Sequence, residues 1–166
     1  MKFVENLIKH PIYIENLNQI TTAEAHRVFC CHGIAHLMDV ARIAYIYSLE
    51  QNLGLEKEMI YLTALLHDIG RAKEYNTDEP HEQAGMELTD VILSELNYPQ
   101  EKREMILRAI QNHRIKGMKG LCSNDEAERL NALINMADKQ SRNCFFCDAY
   151  EECKWSEDKK NKTIVQ

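Results

Sequence analysis

The stretch LLHDIGRAKEY, Leu65 to Tyr75, sets a histidine and an aspartate side by side at the end of an apolar run and just ahead of a glycine. Charged groups are rarely found at the end of a buried segment without a partner. The preceding MIYLTALL (59–66) is apolar nearly all round, which predicts a central helix over about 56–68. Working outward, the periodicity is helical almost everywhere. Short helices are expected near 3–9 and 12–20, and Thr21 or Thr22 is expected to cap a further segment reaching about Cys31. A long helix over about 33–52 would turn Leu37, Val40, Ala41, Ala44 and Ile46–Tyr47 inward and end at Gly54. Residues 69–79 read as a loop. Pro80, behind Thr77 or Asp78, and Pro99 each open a helix, to about Leu96 and about His113. After a loop over 114–122, Ser123 and Glu126 have the spacing of a capping box for a helix to about Arg142. No alternating strand pattern stands out. The expected fold is all-α, a bundle of roughly six to eight helices.

The 166 residues suit one domain, here 1–143, followed by a Cys-rich extension over 144–166 with a solvated end. A formal net charge of −6 argues against grip on nucleic acid through the overall field. The opening MKFVENLIKHPIYIENL is charged throughout, unlike a secretory leader, and no stretch approaches the roughly 20 apolar residues of a membrane span. The expected setting is the cytoplasm, with neither membrane nor nucleic acid as main partner. In that compartment six cysteines point to thiols or metal ligands rather than disulfides.

The histidines are not scattered. His32 and His36 lie four apart, so they share a face if the helix is continuous. His67 and Asp68 close the central helix, His81 opens the next and His113 ends the one after. Asp138 stands in INMADKQ, on an otherwise apolar face, where a buried carboxylate is costly unless something cationic neutralises it. Imidazole and carboxylate donors together suit Fe, Mn, Zn, Ni or Co, with Mg also acceptable, better than Cu(I).

HLMDVARIA, LLHDIGR and LINMADK, in that order on a helical chain, resemble the motifs of the HD superfamily of metal-dependent phosphohydrolases over about 26–143. The resemblance implies an HD-type bundle in which His36, His67, Asp68 and Asp138 bind a first ion. PHEQAG and AIQNHR look like motifs of two-metal HD branches, which implies His81 and His113 as ligands of a second ion, with Asp68 bridging. Those branches include dinucleoside tetraphosphatases and cyclic dinucleotide phosphodiesterases. The chain lacks the GYP signature of the latter and has one histidine in NHR where that branch has two. RVFCCHGIAH and SRNCFFCDAYEECKW look more like a small group of bacterial HD proteins.

An anionic substrate also needs cations. Arg71 and Arg114 are the expected phosphate binders, since guanidinium grips phosphate bidentately, with Lys73, Lys116, Lys119 and Arg142 near the same helix ends. Asp68 and Arg71 are the residues expected to carry catalysis. His32 is expected to touch substrate or to orient His36, with Arg27 and Asp39 in the same polar cluster. Cys144, Cys147 and Cys153 read C-x2-C-x5-C, a structural metal site if Cys122 or another subunit adds a ligand, or else small buried hydrophobes beside Phe145, Phe146 and Trp155. Cys30 and Cys31 read as core. The leading expectation is a hydrolase of a small phosphorylated molecule, a nucleotide or dinucleotide, and a homodimer is compatible with the apolar N-terminal segments. The alternative is a metal- or ligand-sensing module that keeps the site without turnover and uses its Cys-rich tail for interaction or redox response.

Overall fold

The computed structural model describes residues 1–77, 79–111 and 118–164, with backbone alone at 118 and 119. Among them it has eight α-helical segments and no strand: α1 (Lys2–Leu7), α2 (Pro11–Ala23), α3 (Ile34–Glu50), α4 (Lys57–Leu66), α5 (Arg71–Glu74), α6 (His81–Glu95), α7 (Gln100–Gln111) and α8 (Glu126–Gln140). Two 3-10 turns, Met118–Cys122 and Cys144–Phe146, flank α8. No helix is long and apolar enough to cross a membrane among these residues.

The all-round apolar run forms the centre. Every residue of α4 from Leu62 to Leu66 is buried, as are Met59 and Ile60. On α3, Leu37, Val40, Ala41 and Ala44 repeat at helical spacing and pack inward. Ile46, placed inward on sequence, is instead 53% exposed, because the stripe that faces α4 and α8 runs along the other side of α3. α4 lies against α1, α3, α7 and α8, while α6 packs on α7 and carries α5. His67 and Asp68 therefore hang from the C-terminal end of the most buried helix, which holds them rigidly.

Several local expectations are corrected. No helix runs from Thr22 to Cys31: α2 continues through Thr21 and Thr22, whose hydroxyls donate back to the carbonyls of Leu17 and Asn18 instead of capping a new helix. The chain then loops to Gly33, so His32 precedes α3. The 69–79 segment contains the helical turn α5. α3 ends at Glu50, before Gly54: Asn52, just beyond it, takes φ 52° while Leu53 N–H bonds the Ser48 carbonyl at 3.0 Å, and Asn97 closes α6 in the same way at φ 55°. α8 is capped by Asp125, not Ser123: the Asp125 carboxylate accepts from the N–H groups of Ala127 and Glu128, and Ser123 bonds the Asp125 N–H in turn. The tail folds back on the end of α8, where the Asn161 side-chain amide donates to the carbonyls of Lys139 and Arg142, each at 2.8 Å.

Candidate metal centre

α4 stops at Leu66, and this ending lets neighbours share one target. Two successive helical side chains diverge by about 100°. With His67 as the C-cap and Asp68 beyond it, both turn to the same point. His36 comes from the first turn of α3 and Asp138 from the last turn of α8. One donor atom from each of His36, His67, Asp68 and Asp138 lies within 4.8 Å of the others.

The spacing fits an ion. His36 Nε2 is 3.5 Å from Asp138 Oδ1 and 3.7 Å from Asp68 Oδ2, and His67 Nε2 is 3.3 Å from Asp68 Oδ2. Bonds of about 2.0–2.2 Å to one ion place donor atoms roughly 3–4 Å apart. His36 Nε2 is buried yet makes no hydrogen bond among the described residues, an arrangement a metal bond would satisfy. The outward nitrogens are tied down: His67 Nδ1 bonds the Ala64 carbonyl at 2.7 Å and His36 Nδ1 meets Ser141 Oγ at 3.3 Å. Such contacts aim the Nε2 atoms at the centre. Asp138 is not the deeply buried acid expected from its apolar neighbours. Its side chain is 33% exposed, at the open edge of the group.

Asp68 divides its oxygens. Oδ2 faces His36 and His67, whereas Oδ1 faces the Arg71 Nε at 2.9 Å and the His81 Nε2 at 3.6 Å. His81, wholly buried, is steered by Glu74, whose Oε1 lies 2.9 Å from its Nδ1. His113 and Arg114 lie outside the described residues, as do Lys116 and Asp78. The side chain of Lys119 is likewise not described. Lys73 pairs with Glu79 and Glu87, and Arg142 stacks over the Trp155 ring at 4.8 Å. Asp39 pairs with Arg42 on the surface.

His32 is near the centre without joining it. Its ring meets that of His36 edge-on, centroids 5.5 Å apart, and its Nδ1 binds a buried acid, Glu24. Sequence reasoning missed Glu24, Glu74, Tyr75 and Ser141. Ser141 had a signal, since it stands three residues after Asp138 on the same helical face. Glu24, between two alanines, had none. The thiols behave differently from the imidazoles. Among the described residues no three cysteines form a group comparable to the His/Asp set. Cys30 and Cys31 are exposed rather than core, because the segment that carries them is loop.

Burial would drive the Asp68 carboxyl upward, but His67, His36 and Arg71 outweigh it and hold it well below the ordinary carboxylate range. Burial opposes the His67 imidazolium as well, yet Asp68 and then Asp138 raise it from 6.5 to about 9. An ion must therefore displace a proton from His67 at neutral pH. Metal affinity should climb with pH up to about 9 and then level off. In the metal-free protein the sign is opposite: this raised pKa stabilises the fold fully below about 6.5, and the contribution is lost as pH rises through about 9. Calorimetric titration of the metal in two buffers of different ionisation enthalpy at pH 7 should read release of about one proton. Release of none would mean that His67 is already neutral.

Known proteins resemble this chain in family and fold. The family model described as HD domain matches residues 33–150. The chain is 40% identical over 152 residues to an uncharacterized protein of Clostridium beijerinckii, covering 92% of this chain and 91% of that one. It is 32% identical over 80 residues to Ribonuclease Y 1 of Levilactobacillus brevis, a match spanning 48% of this chain and 14% of that protein. Among solved structures, a predicted HD superfamily hydrolase from an uncultured Thermotogales bacterium superposes with a TM-score of 0.61 at 21% identity, covering 96% of this chain and 87% of that one. At that identity the likeness concerns the fold. With its family model spanning all four residues of the His/Asp group, the chain belongs to the HD-domain family.

Proposed function

We propose that the chain is a metal-dependent phosphohydrolase acting on a phosphate ester or anhydride of a small molecule, a nucleotide or dinucleotide being the expected class. One observation carries the reading: a four-donor His/Asp group shares its central carboxylate, Asp68, with a guanidinium. A divalent ion held by His36, His67, Asp68 and Asp138 would lower the pKa of a bound water from about 15.7 toward about 7 and draw charge from a phosphoryl oxygen. Arg71 stands where it can serve both partners. Its Nε pairs with Asp68 and its Nη1 lies 3.5 Å from Glu74 Oε2, and a guanidinium beside the ion is suited to grip a phosphate bidentately. Arg71 helps to keep Asp68 ionised and oriented. His81 facing the second oxygen of Asp68 also supports a second ion on that side, for which His113 is the expected further ligand. The likeness to a ribonuclease Y supports a phosphorus–oxygen bond as target, and the net charge of −6 favours a small substrate over a long polyanion.

The test is reconstitution with Mn, Fe, Co, Ni, Zn and Mg, followed by assay on an aryl phosphate and a nucleotide panel. Turnover with at least one metal is expected, and none in any fully loaded form would sink the reading in favour of a sensing module. Arg71→Ala should keep its metal while kcat/KM falls roughly 100-fold, the scale of losing one preorganised charge contact. An Arg71→Ala protein with wild-type kinetics would make Arg71 no more than the structural partner of Asp68.

A further inference from the structure

Glu24 is the most deeply buried carboxylate outside the His/Asp group, its side chain 3% exposed, and nothing in the proposed chemistry uses it. It lies at the end of α2 and ties together three separate segments. Its Oε2 accepts the main-chain N–H of His32 at 2.6 Å, and its Oε1 lies 2.5 Å from His32 Nδ1. The same Oε1 accepts the phenol of Tyr75, just beyond α5. Arg27 Nη1 donates to that phenol at 3.4 Å. Burial pushes the Glu24 carboxyl up, but these hydrogen bonds bring it below its ordinary value, so it is an ionised acceptor.

An ionised carboxylate can only accept, so the proton between it and His32 must sit on Nδ1. In the neutral ring that leaves Nε2, on the opposite edge, as an acceptor. Nε2 has no hydrogen-bond partner among the described residues, although the ring packs edge-on against His36. A carboxylate that fixes one imidazole nitrogen sets both tautomer and direction of the other, the arrangement that orients imidazoles in hydrolytic sites generally. Tyr75 and the main-chain N–H of His32 hold the carboxylate itself. Solvation alone does not account for three donors converging on one buried acid beside the metal group.

We infer that Glu24 is a positioning residue: it locks His32 in the Nδ1–H tautomer so that Nε2 accepts a hydrogen bond from an O–H group at the His36/His67/Asp68/Asp138 centre. That O–H belongs either to the attacking water or to a hydroxyl of the substrate. The inference rests on the hydrolase reading for its kinetic consequence, and on the geometry alone for the tautomer.

The two are measured separately. In the full-length metal-free protein, long-range ¹H–¹⁵N correlations of the imidazoles, with His32 assigned through His32→Gln, should show Nδ1 protonated and Nε2 bare. Glu24→Gln should mix the tautomers, while Glu24→Asp should restore the Nδ1–H form at least in part. An Nε2–H tautomer in the wild type, or an unchanged tautomer in Glu24→Gln, overturns the inference. In the metal-loaded enzyme, Glu24→Gln should lower kcat/KM about 10–100-fold with metal content unchanged. Loss on an aryl phosphate and on glycerol phosphate alike, carried by kcat, identifies the water. Loss on glycerol phosphate alone, carried by KM, identifies a substrate hydroxyl. Wild-type kinetics on both substrates overturns the inference, whereas a wild type inactive with every metal sinks the hydrolase reading and leaves the tautomer to decide the role of Glu24.

Discussion

Asp68→Asn should lose bound metal almost completely, with affinity down by at least ~100-fold, since even partners one step removed from a ligand cost about 10–100-fold in metal affinity or activity. The proposed phosphohydrolase activity should go with it. The reason is that Asp68 serves both sides of the site. Its Oδ2 completes the group with His36 and His67, and its Oδ1 neutralises Arg71 and faces His81. Removing one partner of a buried ion pair costs about 3–5 kcal/mol when the other charge stays. Here His67 can escape part of that penalty by dropping its proton, because Asp68 is the chief reason its pKa stands near 9. The variant should therefore remain helical by circular dichroism, lose metal by elemental analysis, and show His67 titrating lower in NMR. Undiminished metal stoichiometry in Asp68→Asn, and in a companion His67→Ala, would remove this site.

The second large effect falls on a residue with no side chain. Gly70→Ala is expected to destabilise the protein by more than ~3 kcal/mol, at or beyond the usual range for overpacking. A Cβ on Gly70 would lie 2.1 Å from the His81 carbonyl oxygen and 2.4 Å from the Gly85 nitrogen. These are backbone atoms, so relief requires α6 to move bodily away from the end of α4. That movement takes His81 off Asp68. Denaturant unfolding should show the lost stability, and a surviving folded fraction should show weakened activity. Gly54→Ala is the control. Its φ of 71° is strained for alanine but nothing lies within 4 Å, so the cost should stay near 1–2 kcal/mol. Equal costs for the two variants would show that close approach at Gly70 is not what the fold depends on.

Much of the bundle follows from local pattern. The apolar run before His67 had to be central, because no face of it could meet water, and α3 and α8 showed their inward stripes by 3.6-residue spacing. Where two local signals competed, the pattern misled. Thr21 and Thr22 can cap a helix or bond back within one, and the burial of Ile20 at the end of α2 carried that helix through them. Ser123 and Asp125 are both good caps, and the tighter geometry went to Asp125. Of the candidate ligands, Asp138 stood out as a carboxylate among apolar neighbours, and the resemblance to HD motifs implied His36, His67, Asp68 and Asp138 as one set.

What only the tertiary structure decided is which charges meet. Arg71 faces Asp68, whereas Arg142 turns to Trp155 and Lys73 to Glu79, although all three carry similar charges near helix ends. Glu24 reaches His32 and Tyr75 across gaps of 8 and 51 residues, through a loop that no periodicity describes. Hydrophobic spacing is local, so the sequence by itself determined most of the helices and their buried faces, and its likeness to HD motifs implied which four donors would meet. The pairing of polar groups depends on distances across the bundle, which exist only once the helices have packed.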